Sequence, residues 1–317
     1  MDLEATIKKV KPHLAPGSIK NYLIYIKKTH ERATGNKTIE NLDWLEDIDK
    51  VLDTMKDMKD TTKRNYLNSV VVFTQAHNPK FADTKYFKEY SEIRDKLNRE
   101  IKERFTNGEK TEKQKDNWIT QEEYENILDT YKKYFSKNKI FSKDIDKEDA
   151  RLLQEFALLK LYQQIPSRND FATIKVITQR EYQQIKDKTL EENYLVQDRD
   201  KYYFVINKWK TKKDETDRRR IDVPADIKKV LKLLIKKQKG EYLFTNKNGS
   251  PLKRNGLTKY LQAIFKKFYP EKSVSTSMLR HIYLTSKYGK VKEEMKKDAE
   301  LLAHSVEQQK SYIKEKE

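Results

Sequence analysis

A chain of 317 residues is long enough for two ordinary domains. Its net charge of +18 points to a polyanionic partner, most often nucleic acid, although the excess of lysine with frequent Asn and Ile is also what an AT-rich genome writes into any protein. With no cysteine, disulfides, thiolate zinc sites and cysteine nucleophiles are excluded, and the five scattered histidines have no ligand spacing, so neither metal nor cofactor is expected.

The first hundred residues read as helix. Ser18 is placed as an N-cap ahead of Ile19, Tyr22, Leu23 and Ile26 at helical spacing. Leu42 to Met58 repeats apolar residues at Trp44, Leu45, Ile48, Val51, Leu52 and Met55. Thr61 or Thr62 caps a third helix carrying Tyr66, Leu67, Val70, Val71 and Phe73, and a fourth runs from about Lys85 to Phe105. Four helices with short connectors predict a bundle over residues 1–105. The polar stretch 106–117 cannot build a core and reads as a linker.

The second domain, 118–317, opens with a capping box, Thr120 to Glu123. Glu148 to Gln164 is a buried helix that Pro166 stops. Asn193–Val196, Tyr202–Trp209 and Arg220–Val223 are rich in aromatic and β-branched residues and read as strands, with residues 210–219 as the hairpin loop between the last two. Ile227–Lys237, Leu257–Phe268, Met278–Tyr288 and Glu293–Leu302 read as helices, and Tyr242–Phe244 as a short strand. The fold class is mainly α with a small β-sheet. No P-loop is present among only seven glycines, and no apolar run approaches the ~18 residues of a membrane span. Met1 to Glu4 leads straight into an amphipathic stretch rather than a signal peptide, so the expected location is intracellular, with DNA.

Several residues carry phosphate-ester chemistry. A DNA phosphodiester broken without a metal passes through a phosphorane that fixed cations must stabilise, and arginine forks onto two of its oxygens. A nucleophile and a general acid complete the requirement. Arg168 ends the buried helix after Ile165-Pro166-Ser167, and Arg280 lies three residues after Ser277 on one helix face. Lys210 stands where a strand enters the hairpin loop, with Lys212 and Lys213 as rivals. His304 sits at a helix end and Tyr312 follows in a polar segment, with Tyr283 and Tyr288 as rival nucleophiles.

In this order, Arg168, Lys210, Leu279-Arg280-His281, Leu302-Ala303-His304-Ser305 and Tyr312 resemble the tyrosine recombinases of the phage-integrase type. The segments Ile165–Phe171, Met278–Leu284 and His304–Gln309 look most like integrases of DNA viruses and virophages of unicellular eukaryotes, which would place the protein in a host nucleus or at a viral replication site. The resemblance implies a SAM-like helical core-binding domain that clamps DNA, followed by an α+β catalytic domain. Arg168 and Arg280 would hold the scissile phosphate, Lys210 would protonate the leaving 5′-oxygen, His304 would bind the phosphate or assist proton transfer, and Tyr312 would form a 3′-phosphotyrosyl bond. Double-stranded DNA is the implied partner and a homotetramer on two DNA sites the implied assembly. In the first domain, Lys20, Lys63 and Arg64 lie near helix starts suited to phosphates.

This chain departs from the family pattern in four places. Ser277 replaces the usual histidine, Ala303 the usual glycine, and Phe171 the usual carboxylate, with Asp170 one residue earlier; the His304 to Tyr312 gap is one shorter than usual. The few residues after Tyr312 suggest no long tail for exchange between protomers, so cyclic contacts would have to come from elsewhere. Two other readings use the same residues: a type IB topoisomerase or telomere resolvase, and a non-catalytic DNA-binding protein on this scaffold.

Overall fold

The computed structural model describes residues 1–142, 144–185, 192–199, 201–209, 212, 217–238 and 240–313. The chain divides into two compact units, Met1–Lys110 and Thr111–Glu317. No described helix is long and apolar enough to cross a membrane.

The first unit is a helical bundle of α1 (Leu3–Val10), α2 (Pro16–Thr34), α3 (Ile48–Asp53), α4 (Asp60–His77) and α5 (Lys85–Asn107). Each longer helix turns an apolar stripe inward, and Ile7, Ile26, Leu45, Val51, Leu67, Val70 and Phe73 are fully buried together. Polar groups lock the packing. The Tyr90 hydroxyl donates to the Leu45 carbonyl at 2.8 Å, and Ser69 Oγ to the Tyr22 carbonyl at 2.8 Å.

Three boundaries differ from the sequence expectation. Ser18 lies inside α2, because Pro16 starts the helix where a missing N–H is harmless. Thr61 and Thr62 lie inside α4, which begins at Asp60, a carboxylate suited to a helix N-terminus. The Leu42–Met58 stretch is broken into a 3₁₀ turn, Asp43–Glu46, and α3, because Asp47 leaves helical geometry and caps the Lys50 N–H at 3.2 Å. Within the polar 106–117 stretch, Gly108 in the left-handed region closes α5. A capping box between Thr111 and Gln114 then starts the short α6 (Glu112–Asp116).

The second unit surrounds α8 (Lys147–Gln164), whose Leu153, Phe156, Ala157, Leu158, Leu159 and Leu161 are all buried. A helix apolar on nearly all sides needs neighbours on all sides. They include α7 (Gln121–Lys137), α10 (Ala225–Gln238) and α12 (Thr276–Leu301), while α11 (Arg254–Lys266) adds Leu257, Leu261 and Phe265 to the same core. The expected capping box starts α7: the Glu123 N–H donates to Thr120 Oγ1 at 3.0 Å, and the Thr120 N–H to Glu123 Oε2 at 2.6 Å.

The sheet has order β1 (Ile174–Thr178), β2 (Asn193–Asp198), β3 (Lys201–Ile206), β4 (Arg219–Asp222), with α9 (Gln179–Gln184) after β1. β1 is parallel to β2 and the other pairs are antiparallel. The molecule is therefore mainly helical with a small mixed sheet, as its composition pattern predicts. The sequence reading did not find β1, and it extended β3 to Trp209, three residues too far. It also read two helices where α12 runs unbroken through Gly289, and left the chain beyond His304 without the final helix α13 (Val306–Tyr312).

Gln154 on α8 is buried, and its amide is fully used. Its Nε2 donates to the Thr245 carbonyl and the Tyr260 hydroxyl, both at 3.0 Å; its Oε1 accepts from the Thr245 N–H at 2.9 Å and from Gln238 Nε2 at 2.7 Å. Gln154→Leu keeps the volume and orphans those partners, so denaturant titration is expected to show a loss of about 2–4 kcal/mol.

Candidate active site

Arg168 leaves α8 through Ile165-Pro166-Ser167, and four contacts fix the segment around it. The Tyr162 hydroxyl donates to the Arg168 carbonyl at 2.7 Å. Asp170, buried two residues on, accepts from Ser167 Oγ at 3.0 Å and pairs with Arg254 at 2.9 Å. The Asp170 carbonyl accepts from Asn193 Nδ2 at 3.0 Å. The place three residues after Arg168, where a carboxylate is usual, holds the fully buried Phe171, and the anchoring acid has moved to Asp170.

Arg280 rises from the first turns of α12, which Ser275 caps at the Met278 N–H. Its Nη2 donates to Ser277 Oγ at 3.3 Å, so the serine orients the guanidinium. Burial first, then the Arg168 cation, push Arg280 below its ordinary pKa. The structure thus brings the two arginines into each other's field, with Asp170 opposing part of that repulsion at Arg280. The buried Tyr162 phenol is raised by burial and by Asp170, and lowered by Arg280, which places it within the same field. Desolvation and Arg280 also push His281 down, which favours its neutral form.

Beside this segment lies an open cleft of about 310 Å³ lined by Asn169, Asp170, Asn193, Lys208, Lys212 and Arg254, among others. Asn193 is its keystone. Besides its bond to Asp170, its Nδ2 donates to the Lys208 carbonyl at 3.3 Å, and its Oδ1 accepts the N–H groups of Asn207 and Lys208, both at 2.8 Å. One amide therefore ties the end of β3 to the loop that carries Arg168. Lys210 itself lies outside the described residues, as does its rival Lys213. The other rival, Lys212, donates to the Asn207 carbonyl at 3.1 Å and stands 5.6 Å over the Trp209 ring.

His304 and Tyr312 form a second cluster. The His304 N–H donates to the Ala299 carbonyl at 3.0 Å, which folds the chain back over the end of α12, with Ala303 left-handed at φ 54°. Glycine takes that conformation more readily, and it is the residue usual there. Ser305 caps α13 at the Gln308 N–H, and Tyr312 closes that helix. The His304 and Tyr312 rings lie 5.7 Å apart. Tyr312 is therefore on a helix, not in the irregular polar segment expected. The two clusters are not brought together within the chain: from Arg280 to Ala299 the unbroken α12 rises about 28 Å. Of the rival tyrosines, Tyr283 and Tyr288 both lie along α12.

In the first unit, Lys20 lies on α2, and Lys63 and Arg64 on the first turns of α4. These helices flank a polar groove lined by Ser18, Asn21, Tyr22, Tyr25, Asn65 and Asn68, and Arg64 Nη2 donates to Asn65 Oδ1 at 3.3 Å.

No family model and no curated protein matches the sequence. Among solved structures, the chain is similar to XerH site-specific recombinase bound to its difH substrate in a pre-cleavage complex. The identity is 18%, covering 99% of this chain and 80% of that one, with a TM-score of 0.50. A post-cleavage complex of XerH on a palindromic difH substrate matches at 19% identity over 96% of this chain and 78% of that one, with a TM-score of 0.49. This is the fold of a tyrosine site-specific recombinase.

Within the recombinase fold, the residues that sequence reasoning passed over are Tyr162, Asn193 and Arg254. None carries a local signal: Tyr162 reads as helix core, Asn193 as a strand start and Arg254 as one more surface cation. In Asn193→Ala the Asn207 and Lys208 amides lose their acceptor, and each should exchange hydrogen about tenfold faster, read residue by residue by NMR.

Proposed function

We propose that this protein is a site-specific recombinase or integrase that cuts and rejoins double-stranded DNA through a 3′-phosphotyrosyl intermediate. The observation that supports this most is that the Arg168 cation acts on Arg280, on a recombinase fold. Two like charges held together are unfavourable until a phosphate enters between them, and a phosphorane with a second negative charge suits them better still.

In this reading, Tyr312 Oη attacks the scissile phosphorus and gives up its proton as the P–O5′ bond breaks. Lys210 protonates the leaving 5′-oxygen. Tyrosine ordinarily ionises at a pKa of ~10, so its anion must be favoured as it forms. His304, whose ring lies against that of Tyr312, would take that proton. Ser277 hydrogen-bonds but cannot serve as a base, so the proton path rests on His304. The phosphotyrosyl ester keeps the energy of the broken bond, and a 5′-hydroxyl from another strand reverses the step without ATP or a metal. Lys20, Lys63 and Arg64 contact phosphates and supply register rather than sequence. Four protomers would pair two DNA sites, inside the cell where that DNA resides; integration of a mobile or viral element is the setting that the motif resemblance favours.

The separation of the two clusters and the loss of the histidine at Ser277 favour a second reading, a DNA-binding protein without chemistry. One experiment decides between them. On a nicked suicide substrate in EDTA, the wild-type protein is expected to form a covalent adduct that survives denaturation. Tyr312→Phe should form none, and Arg280→Ala should form it at least about a thousandfold more slowly. Salt-sensitive binding with no adduct would leave only the second reading.

A further inference from the structure

Asparagine is depleted in strands, yet Asn193 opens β2 and is buried, with only 4% of it exposed. The register of β2 with β3 runs to Tyr194 opposite Val205. One step beyond, side chains take over from the backbone. Asn193 Oδ1 accepts the Asn207 and Lys208 N–H groups, and Asn207 Nδ2 donates back to the Glu192 carbonyl at 2.7 Å. The two asparagines thus clasp the end of β3. A clasp alone needs only the acceptor. Asn193 Nδ2 also reaches the Asp170 carbonyl, two residues after Arg168, as well as the Lys208 carbonyl.

A carboxamide has four hydrogen-bonding positions, two donors and two acceptor lone pairs. Backbone groups of this chain take all four at Asn193, so none is left for DNA. Whatever Asn193 gives to the chemistry passes through what it holds. It holds the loop of Arg168 and the strand end from which the candidate acids follow. Lys210 comes two residues after Lys208 in the chain, and two residues span at most about 7 Å. Its rival Lys212 donates to the carbonyl of Asn207, the same clasped residue. A proton donor must come within about 2.6–3.2 Å of the oxygen it protonates. The spacing of the arginine loop and the strand end therefore governs that proton, and one buried side chain spans it.

We propose that Asn193 is a positioning residue for proton delivery to the leaving 5′-oxygen, holding the lysine-bearing strand end in register with the phosphate at Arg168. This rests on the strand-cutting reading above and adds to it the residue that couples the proton step to the phosphate site. In that step Tyr312 Oη bonds to phosphorus, the P–O5′ bond breaks, and a lysine ammonium proton passes to O5′. Without the Asn193 amide, the Arg168 segment keeps its contacts through Tyr162, Ser167 and Arg254. The Asn207 and Lys208 N–H groups lose their acceptor, so the proton step suffers first.

Sulfur in place of the bridging 5′-oxygen isolates that step. A thiol ionises near a pKa of ~8.5, whereas water, close to an alcohol, ionises near ~15.7, so sulfur departs as thiolate and needs no acid. Rates of adduct formation are measured on matched suicide substrates with 5′-oxygen or 5′-sulfur. The readout is the sulfur-to-oxygen rate ratio, which a misfolded fraction leaves unchanged because it lowers both rates alike. For Asn193→Ala the ratio is expected to rise at least about thirtyfold over wild type, part of the roughly 100- to 10,000-fold that a placed general acid supplies. Asn193→Asp keeps the acceptors and loses both donors; it is expected to raise the ratio too, and serves should Asn193→Ala give no folded protein. Arg280→Ala, which weakens phosphate stabilisation on both substrates, is expected to leave the ratio within about threefold of wild type. A wild-type ratio in the Asn193 variants overturns the proposal and leaves Asn193 as a strand end alone. An equal rise in Arg280→Ala overturns it as well, because any damage to the site would then move the ratio. Absence of adduct from the wild-type protein on both substrates overturns the strand-cutting reading itself, and this proposal with it.

Discussion

Arg168 and Arg280 repel one another, and much of the second unit can be understood as the frame that holds them in place. Arg280 is partly stripped of water on a helix packed into the core, so it cannot swing away at no cost. Arg168 stands in an irregular loop, where its backbone would be free but for Tyr162, Asp170 and Asn193. Those three bonds reach α8, α11 and the sheet, so helices and sheet meet at one short segment. Charge is balanced beside the pair rather than within it. Asp170 pairs with Arg254 and also acts on Arg280, so the repulsion between the two arginines is offset only in part. Preorganised cations of this kind act on a transition state because they need not reorganise when charge appears.

The parts of the fold that were legible in the sequence are those decided locally. Thr120 and Glu123 satisfy each other's backbone groups within one turn, and Pro166 ends α8 whatever surrounds it. The apolar run of α8 declares its own burial. What escaped reading was decided elsewhere. β1 is a short run, Ile174–Thr178, with no turn signal before it, and it becomes a strand only because β2 pairs with it. Ser18, Thr61 and Thr62 are good capping residues, yet Pro16 and Asp60 begin their helices earlier. Gly289 invites a break between two helices, but a glycine in a helix costs only about 1 kcal/mol relative to alanine, and the neighbouring lysines, glutamates and Met295 are strong helix formers.

The candidate site was legible in the same uneven way. The order of Arg168, Arg280, His304 and Tyr312 along the chain is visible to a reader who knows what phosphate chemistry needs. Asn193 is invisible, because its role lies in four groups distant in sequence. The departures from the family pattern also acquire physical meaning. Asp170 takes over the anchoring that a carboxylate at Phe171 would give. Ala303 holds a left-handed turn that glycine would hold with less strain. Ser277 keeps the hydrogen bond to Arg280 and gives up the proton.

The unbroken α12 is also a lever. A rod fixed at Met278 and Leu279 magnifies any rotation at its base, and a tilt of about 10° moves a point about 28 Å away by about 5 Å. Misplacement by about 1 Å can cost a reaction about a hundredfold in rate. The packing of a few core residues at the foot of the helix therefore sets the position of its tip. Small shifts there would be enough to move the His304 and Tyr312 rings together by several ångströms.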